Sequence, residues 1–537
     1  MSSLARKPWR RRILATAAMV AGAFAATAQQ QGTVPDRQHM LDAMKRATAF
    51  MIDKVSTNGG YVWTYLPDLS RRWGELEARA SMIWIQPPGT ATMGHLFLDA
   101  YHVTRDEYYY AAAEQVAGAL IWAQHPSGGW NYLADFGGER SLREWYDTVG
   151  KNAWRLEEFQ HYWGNATFDD AGTADSAKFL LRLYLEKRDP KYRPALDKAI
   201  AFVVDSQYPI GGWPQRYPRP TEQAVHGNAD YTSYITFNDD VAAENIEFLT
   251  MCYQALGDPR LLDSITRGMN AFLVMQQGPP QAGWALQYTL DLKPAGARSY
   301  EPKALVTHTT AANIESLIRF YRLTGESKFL ARVPEAIAWL ERTQLPAGVA
   351  PAGRTHATFI ELETGKPLYV HRRGSNVVNG AYYVDYDSKK TIGHYSAFRR
   401  VDLQRLKALY EEARALSPER ALAGSPLGRG SEIMPLPRLF IVDAQPGAET
   451  NGTSEAATIL RDLTPEGYWL VPLRTNSYPY SADGSKTADG ADYSQSHVGD
   501  KSDTSPFPDD KILGISVASY LRNMSVLLRQ VDGASSH

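Results

Sequence analysis

The sequence predicts an all-α dominated chain, an α/α toroid of repeated helical hairpins with a small loop-and-strand region and a C-terminal wrapping annexe. Three observations carry that prediction. One inter-helix turn recurs four times, as Thr104-Arg-Asp-Glu, Lys187-Arg-Asp-Pro, Leu256-Gly-Asp-Pro and Thr324-Gly-Glu-Ser, at spacings of 83, 69 and 68 residues. A Gln follows the acidic residue of each turn by 18 positions: Asp106 to Gln124, Asp189 to Gln207, Asp258 to Gln276 and Glu326 to Gln344. Three of these Gln residues lead into Gly-Trp, ending at Trp130, Trp213 and Trp284. Helix pairs that repeat at this length cannot bury their apolar faces singly and must stack as an array.

Each turn has a helix on either side. The upstream helices are expected to begin near Gly89, Gly172, Asp240 and His308, with Tyr101, Tyr184, Tyr253 and Tyr321 near their ends. A fifth half-unit opens the array, because Ala49-Phe-Met-Ile-Asp53 and Gly59-Gly60 match Ala201-Phe-Val-Val-Asp205 and Gly211-Gly212. The spacing is long for an open solenoid and the loops after the second helices are long, which favours a closed or partly closed ring. A helix of about 18 residues spans roughly 27 Å, enough for its wall. The rim loops on such a wall are where binding residues gather. The toroid is assigned to residues 36–420, and the annexe to 421–537. The periodicity fades over 346–400, where Thr358–Leu362, Leu368–Val370 and Ala381–Val384 read as short strands. Val401–Leu416 and Lys511–Gln530 read as helices, the second closing a Pro-, Gly- and Ser-rich tail expected to lie outside the ring.

Residues 1–28 read as a signal peptide: Arg6, Lys7 and Arg10–Arg12, then an apolar core over 13–25 and Ala26-Thr-Ala28. Arg10-Arg11 also permits a twin-arginine signal. The expected mature protein is secreted or periplasmic, free of the membrane and monomeric. The net charge of −2 becomes more acidic once that leader is lost, which excludes general nucleic-acid affinity. Cys252 is the only cysteine, so no intrachain disulfide forms, and its apolar helical setting reads as a buried thiol. No phosphate loop, Ser-His-Asp array or Cys/His zinc pattern is present. His161, His308, His356, His371 and His394 show no metal-ligand spacing.

Two acidic stretches echo each other 69 or 70 residues apart, Thr167-Phe-Asp-Asp170 and Thr236-Phe-Asn-Asp-Asp240, each before a helix. Carboxylates delivered from two helix starts to one rim suit a hard cation or an acid/base pair. The alternative is plain helix N-capping, which favours Asp and Asn in any case. The three Trp residues occupy equivalent positions and read as plugs at repeat junctions.

The run Gln207-Tyr-Pro-Ile-Gly-Gly-Trp-Pro-Gln-Arg-Tyr-Pro218 followed by Tyr234-Ile-Thr-Phe-Asn-Asp-Asp240 resembles polysaccharide lyase family 10, the α/α-toroid pectate lyases. Ala297-Arg-Ser-Tyr-Glu-Pro302 and Phe359–Arg373 resemble two further motifs of that family, so the likeness covers roughly 165–375. It implies calcium-assisted β-elimination of polygalacturonate. By motif, Asp169 and Asp170 fall on the acidic segment, Asp239 or Asp240 on the calcium-binding aspartate, Arg298 on the proposed base and Arg372 on a substrate arginine. Thr358 stands where the family has a second arginine, and residues 140–164 depart from its pattern.

β-Elimination removes the proton α to a uronate carboxylate and expels the 4-oxygen. A Lewis acid on that carboxylate stabilises the growing negative charge. Asp170, Asn238, Asp239 and Asp240 are the expected Ca²⁺ ligands, with Asp169 beside them facing substrate. Arg298 can clamp a carboxylate through its planar fork. As a base it is awkward, since guanidinium keeps its proton above pH about 12; Lys303 is the second candidate. Arg216 and Tyr217, with Gln215, are placed for carboxylate contact and sugar stacking, and Arg372 and Arg373 for binding a polyanion. Two other functions compete: a glycoside hydrolase using one carboxyl from each echoed pair, and a uronan-binding protein without turnover. A terpene cyclase, whose toroids also carry Gln and Gly-Trp repeats, fits neither the leader nor the acidic pairs.

Overall fold

The computed structural model describes residues 36–152, 156–219, 229–373, 381–392, 395–430, 432–444, 452–473 and 513–533. The signal peptide expected over 1–28 lies outside the described residues. Helix α1 (Arg37–Phe50) precedes the first hairpin, α2 (Thr90–Thr104) and α3 (Glu107–Ala123). A short helix, α4 (Glu139–Thr148), interrupts the connection to the second, α5 (Gly172–Lys187) and α6 (Arg193–Asp205). The third is α7 (Val241–Leu256) and α8 (Leu261–Met275). The fourth is α9 (Thr307–Thr324), a single turn α10 (Lys328–Ala331) and α11 (Val333–Arg342). There follow α12 (Leu403–Arg414), the short α13 (Pro418–Leu422) and α14 (Ile441–Ala444), then α15 (Gly452–Asp462) and α16 (Val517–Gly533). The first helices of the hairpins form the inner wall, with α2 packed on α5 and α5 on α7. The second helices lie outside them. The result is the α/α toroid that the periodicity predicts.

The recurring turns are helix stops succeeded at once by helix starts. Arg105, Arg188, Gly257 and Gly325 hold the left-handed conformation just past α2, α5, α7 and α9. Each donates its N–H to the carbonyl of Tyr101, Tyr184, Tyr253 or Tyr321, which closes the helix. In three of the four turns the next residue caps the new helical segment: Asp106, Asp189 and Asp258 accept from the N–H of Tyr108, Lys191 and Arg260. The repeated Gln and Trp bind neighbouring units together. Gln124 and Gln207 donate to the carbonyls of Gly128 and Gly211 in their own loops, and to those of Ala195 and Ser264 on the outer helices of the next units. Trp130, Trp213 and Trp284 are fully buried, and their indole N–H groups donate back to Leu120, Val203 and Phe272. Their role is structural.

The annexe wraps one end of the toroid and also extends its wall. Residues 416–444 cross the C-terminal ends of the inner helices, where Tyr321 and Tyr253 donate to the carbonyls of Leu416 and Gly430. Buried Asp99 accepts the N–H groups of Phe440, Ile441 and Val442 at the start of α14, and pairs with Arg182 at 2.7 Å. Beyond that crossing, α15 and α16 form a unit of the array that the turn and Gln spacings do not reveal. Trp469 donates to the carbonyl of Ile459, the same ten-residue reach as Trp130 and Trp213. Gly467, at φ +103°, lies against the Arg46 carbonyl of α1 as Gly211, also at +103°, lies against that of Arg267 on α8. A Cβ would stand 2.7 and 1.9 Å from those oxygens, so only glycine fits. Helix α16 then packs between α1 and α2, and Thr48 and Tyr520 share a 2.7 Å hydrogen bond. Leu513–Ser516 extends the same junction as a strand, pairing Ser516 with Thr64.

The strands over 346–400 join a segment from the repeat. Ala304–Val306, Phe359–Glu361, Pro367–Arg373 and Ala381–Asp385 form one antiparallel sheet in that order. It covers a small second core of Leu286, Tyr300, Val306, Phe359 and Val370. That sheet stands beside the loop carrying Arg298. Cys252 is buried on α7, as its setting predicts.

Candidate active site

The two acidic stretches adopt one backbone form. Asp170 and Asp239 share φ 49° and ψ 34°, and each precedes a second left-handed residue, Ala171 or Asp240. The structural equivalence is therefore Asp169 with Asn238, Asp170 with Asp239, and Ala171 with Asp240. Of the two spacings, 69 residues is the conformational one. Left-handed backbone at a residue with a Cβ carries a penalty, about 1–2 kcal/mol each. Here it turns both stretches so that Asp169, Asp170 and Asp239 each bring an oxygen within 4.8 Å of the others.

Around this cluster the rim loops converge. Asp169 is completely buried, and its Oδ2 accepts from Tyr132, from Gln215 at 2.7 Å and from Arg298 Nη2 at 2.5 Å. Its Oδ1 has no hydrogen-bond partner. Gln86 donates to Asp170 at 2.7 Å. Arg298 is caged by acids: Nη1 lies 2.8 Å from Glu301 Oε1, and Nε lies 3.3 Å from Glu158 Oε2. Glu301 also accepts from Tyr395 at 2.6 Å, and the Asn238 amide donates to the same hydroxyl at 3.0 Å. Glu157 accepts the Ser299 N–H, which fixes the backbone next to Arg298.

The charges in this space conflict. Burial, then Asp169 and Glu75, push the Asp170 carboxyl well up; burial, Asp170 and Asp169 do the same to Asp239. Burial would raise Asp169 too, but Arg298, with hydrogen bonds from Tyr132 and Gln215, holds it below its ordinary range. Burial opposes the charge of Arg298, yet Glu301, Asp169 and Glu158 overcome it and drive that pKa further up. Three converging carboxylates, two of them disfavoured as anions and one with an orphaned oxygen, form a donor set suited to a hard divalent cation. Such an ion would restore the charge that burial discourages.

The other sequence candidates are scattered. Asp240 points away from the cluster into a cavity of about 650 Å³ lined by Glu244, Glu315, Arg319 and Arg405. Arg216 is buried one face over from Gln215, and Tyr217 packs its ring on Phe202 at 5.6 Å. Arg372 is buried on the sheet opposite Tyr382, Arg373 is exposed over the Tyr383 ring, and Lys303 is exposed before Ala304. Thr358 is buried, with its hydroxyl bonded to the Ser396 carbonyl. Gln86, Tyr132, Glu157, Glu158, Glu301 and Tyr395 also belong to the site and are not among the sequence candidates. Glu157-Glu158, two adjacent acids inside an aromatic stretch, was the one available signal.

The rim of the helical toroid thus gathers three carboxylates and a caged arginine at one place. Residues 142–347 match the sequence model of the pectic acid lyase family, and the chain carries a domain of that family. The matched span contains Asp169, Asp170, Asp239 and Arg298. The motif resemblance to family 10 polysaccharide lyases is borne out, and the enzyme is a polysaccharide lyase. No curated protein matches the sequence. Among solved structures, a family 10 polysaccharide lyase from Cellvibrio cellulosa, in one case complexed with trigalacturonic acid, is 19% identical. It covers 60% of this chain and 98% of its own, with a TM-score of 0.40. An α-1,6-mannanase from Salegentibacter and a cellobiose 2-epimerase from Spirochaeta thermophila are each 11% identical. Each covers 93% of this chain and 99% of its own, with TM-scores of 0.37 and 0.41. Likenesses at that level add nothing to the reading of the site.

Proposed function

We propose that this enzyme cleaves polygalacturonate by Ca²⁺-assisted β-elimination, with Asp169, Asp170 and Asp239 as the ion's protein ligands and Arg298 at the reacting sugar. The observation that carries the reading is the Arg298–Asp169 contact at 2.5 Å, an ion pair between that arginine and the buried member of the acidic cluster. Bound there, the cation would act as a Lewis acid toward the uronate carboxylate. Arg298, held by three carboxylates, is oriented and kept charged, so its fork is built to grip a carboxylate. Service as the base would require that hold to relax first. Lys303, exposed on the same loop, is the other acceptor for the proton α to the carboxylate, in its neutral amine form. The C4–O bond then breaks, its electrons leave with the oxygen, which takes a proton from solvent, and a C4=C5 double bond remains. Asn238 acts through Tyr395 and Glu301 to position Arg298.

The hydrolase reading fits less well. Paired glycosidase carboxyls stand about 5–5.5 Å apart or more, on either side of the scissile bond. Here one oxygen from each of Asp169, Asp170 and Asp239 lies within 4.8 Å of the others, so the three carboxyls converge on one point and do not flank a bond from opposite sides. No helix among the described residues is long and apolar enough to cross a membrane. Export through the leader over 1–28 would bring the enzyme to a polymeric substrate outside the cell. Incubation with polygalacturonate and Ca²⁺ tests the reading: unsaturated, ultraviolet-absorbing products that vanish with a chelator are expected. Saturated products would overturn it in favour of hydrolysis.

A further inference from the structure

Arg216 lies next to the acidic cluster but has no counter-ion among the described residues. Its side chain is only 2% exposed, yet no ion pair involves it among the described residues. Nη1 reaches two neutral amide oxygens, Asn131 Oδ1 and Asn165 Oδ1, each at 3.3 Å, the long limit for such bonds. Nη2 is buried with no acceptor among the described residues. Two aromatic rings hold the guanidinium: Tyr132, with its centroid 5.3 Å from Cζ, and Trp163 at 5.6 Å. Trp163 is 8% exposed, and its indole Nε1 is also buried without a partner. His161 stands edge-on to that indole at 4.7 Å.

Two unsatisfied donors, one of them charged, therefore lie on adjacent side chains, with the Arg216 guanidinium carbon 5.6 Å from the Trp163 ring. An isolated buried charge is among the most expensive things a fold can contain, and folds normally pair it. The amides cannot supply the missing charge, because each is already engaged. Asn131 donates to Tyr146 at 3.1 Å and Asn165 to the Pro218 carbonyl at 2.9 Å, which fixes their oxygens toward Arg216. The cage is thus rigid, cationic and short of one planar anion. Tyr132 ties it to the reaction centre: its ring lies by Arg216 while its hydroxyl donates to Asp169.

We propose that Arg216 Nη2 and Trp163 Nε1 form a second carboxylate-binding position, which takes the acid group of a uronate neighbouring the one held at the Asp169–Arg298 centre. This rests on the lyase reading and extends it to specificity. A polymer carries one carboxylate per sugar, so a fixed donor pair beside the reacting residue counts charge along the chain. Methyl esterification removes that charge and half of the acceptor geometry. The enzyme should then discriminate against esterified pectin at this position, independently of the cation site.

The test uses Arg216→Gln and Trp163→Phe, the second of which keeps the ring and removes only the indole N–H. Each should raise KM for polygalacturonate about tenfold while kcat changes far less, and each should narrow the preference over highly methyl-esterified pectin. Melting temperature should hold or rise in Arg216→Gln, since an unpaired buried charge has been removed. Unchanged KM in both variants, or a lowered melting temperature with unchanged KM, overturns the proposal and leaves a packing role. If the wild type makes no unsaturated product from any uronan, the lyase reading fails by itself. Calorimetric binding of trigalacturonate to wild type and Trp163→Phe then decides the site, with tenfold weaker binding supporting it and equal binding overturning it.

Discussion

Arg298 and Asp169 come from loops 129 residues apart and meet in a space closed to solvent, with Nη2 2.5 Å from Oδ2. The contact is one of three that the arginine makes with acids, and together they leave it no freedom. Arg298→Lys cannot reproduce them, because a single ammonium cannot face Asp169, Glu158 and Glu301 at once. We expect turnover to fall at least about 100-fold, the low end for a positioned acid/base group. The melting temperature should drop by several degrees as buried carboxylates lose their partner. Turnover within about threefold of wild type would remove Arg298 from the site.

The acidic cluster predicts an opposite pattern. Asp170 and Asp239 are disfavoured as anions, so Asp170→Asn and Asp239→Asn should leave the chelated protein as stable as wild type, or more so. Activity should nevertheless fall at least about 100-fold, and the stabilisation that Ca²⁺ gives the wild type should shrink. Thermal scans with and without Ca²⁺ check this. A shift on adding Ca²⁺ that matches wild type in both variants would place the ion elsewhere. Asp240→Asn should affect both readouts much less.

The pH dependence can be assigned a sign. Burial pushes Glu157 up to about 7, against hydrogen bonds from Ser299 that pull it down. The folded protein therefore holds this proton more tightly than the unfolded chain, whose glutamate titrates near 4.3. The contribution is fully present below about pH 4.3 and is lost as pH rises toward 7. Glu157→Gln should flatten the stability profile between about pH 4.3 and 7. An unchanged slope would show that another group sets it.

Two turns carry arginine where their counterparts carry glycine. Arg105 and Arg188 sit at φ 59° and 53°, the conformation that Gly257 and Gly325 adopt freely. Arg105→Gly and Arg188→Gly should each stabilise the fold by roughly 0.5–1 kcal/mol, since left-handed backbone at a residue with a Cβ costs about 1–2 kcal/mol and glycine loses part of that gain in the unfolded chain. Chemical denaturation midpoints measure it. A lower midpoint in both would mean that the arginine side chains contribute more than the backbone strain removes.

The array was legible because Gln, Trp and the capping Asp make the same hydrogen bonds in successive units, so selection for one geometry leaves one spacing. The acidic echo was legible as composition but ambiguous in register. Asp239 and Asp240 are the same residue type, and only their φ and ψ show which one matches Asp170. The α15–α16 unit escaped notice because it has no Gln at the usual position and lies far from the other repeats in sequence. Tyr132, Glu158 and Tyr395 escaped for a different reason. Each comes from a connection outside the long helices of the repeat, and only the folded array brings them to the Asp169–Arg298 centre.

Helix α1 packs against α16, whose residues are synthesised more than 450 positions later. Until those residues emerge, the apolar face of Met40, Ala43, Met44 and Ala47 has no inner helix to meet on that side. At about 5–20 residues per second, the wait lasts from roughly 25 seconds to a minute and a half. The growing chain is then an open arc with sticky ends, at risk of joining the arc of another molecule. Its production should therefore depend on holding factors during synthesis, and truncation before 513 should yield aggregates rather than a smaller enzyme.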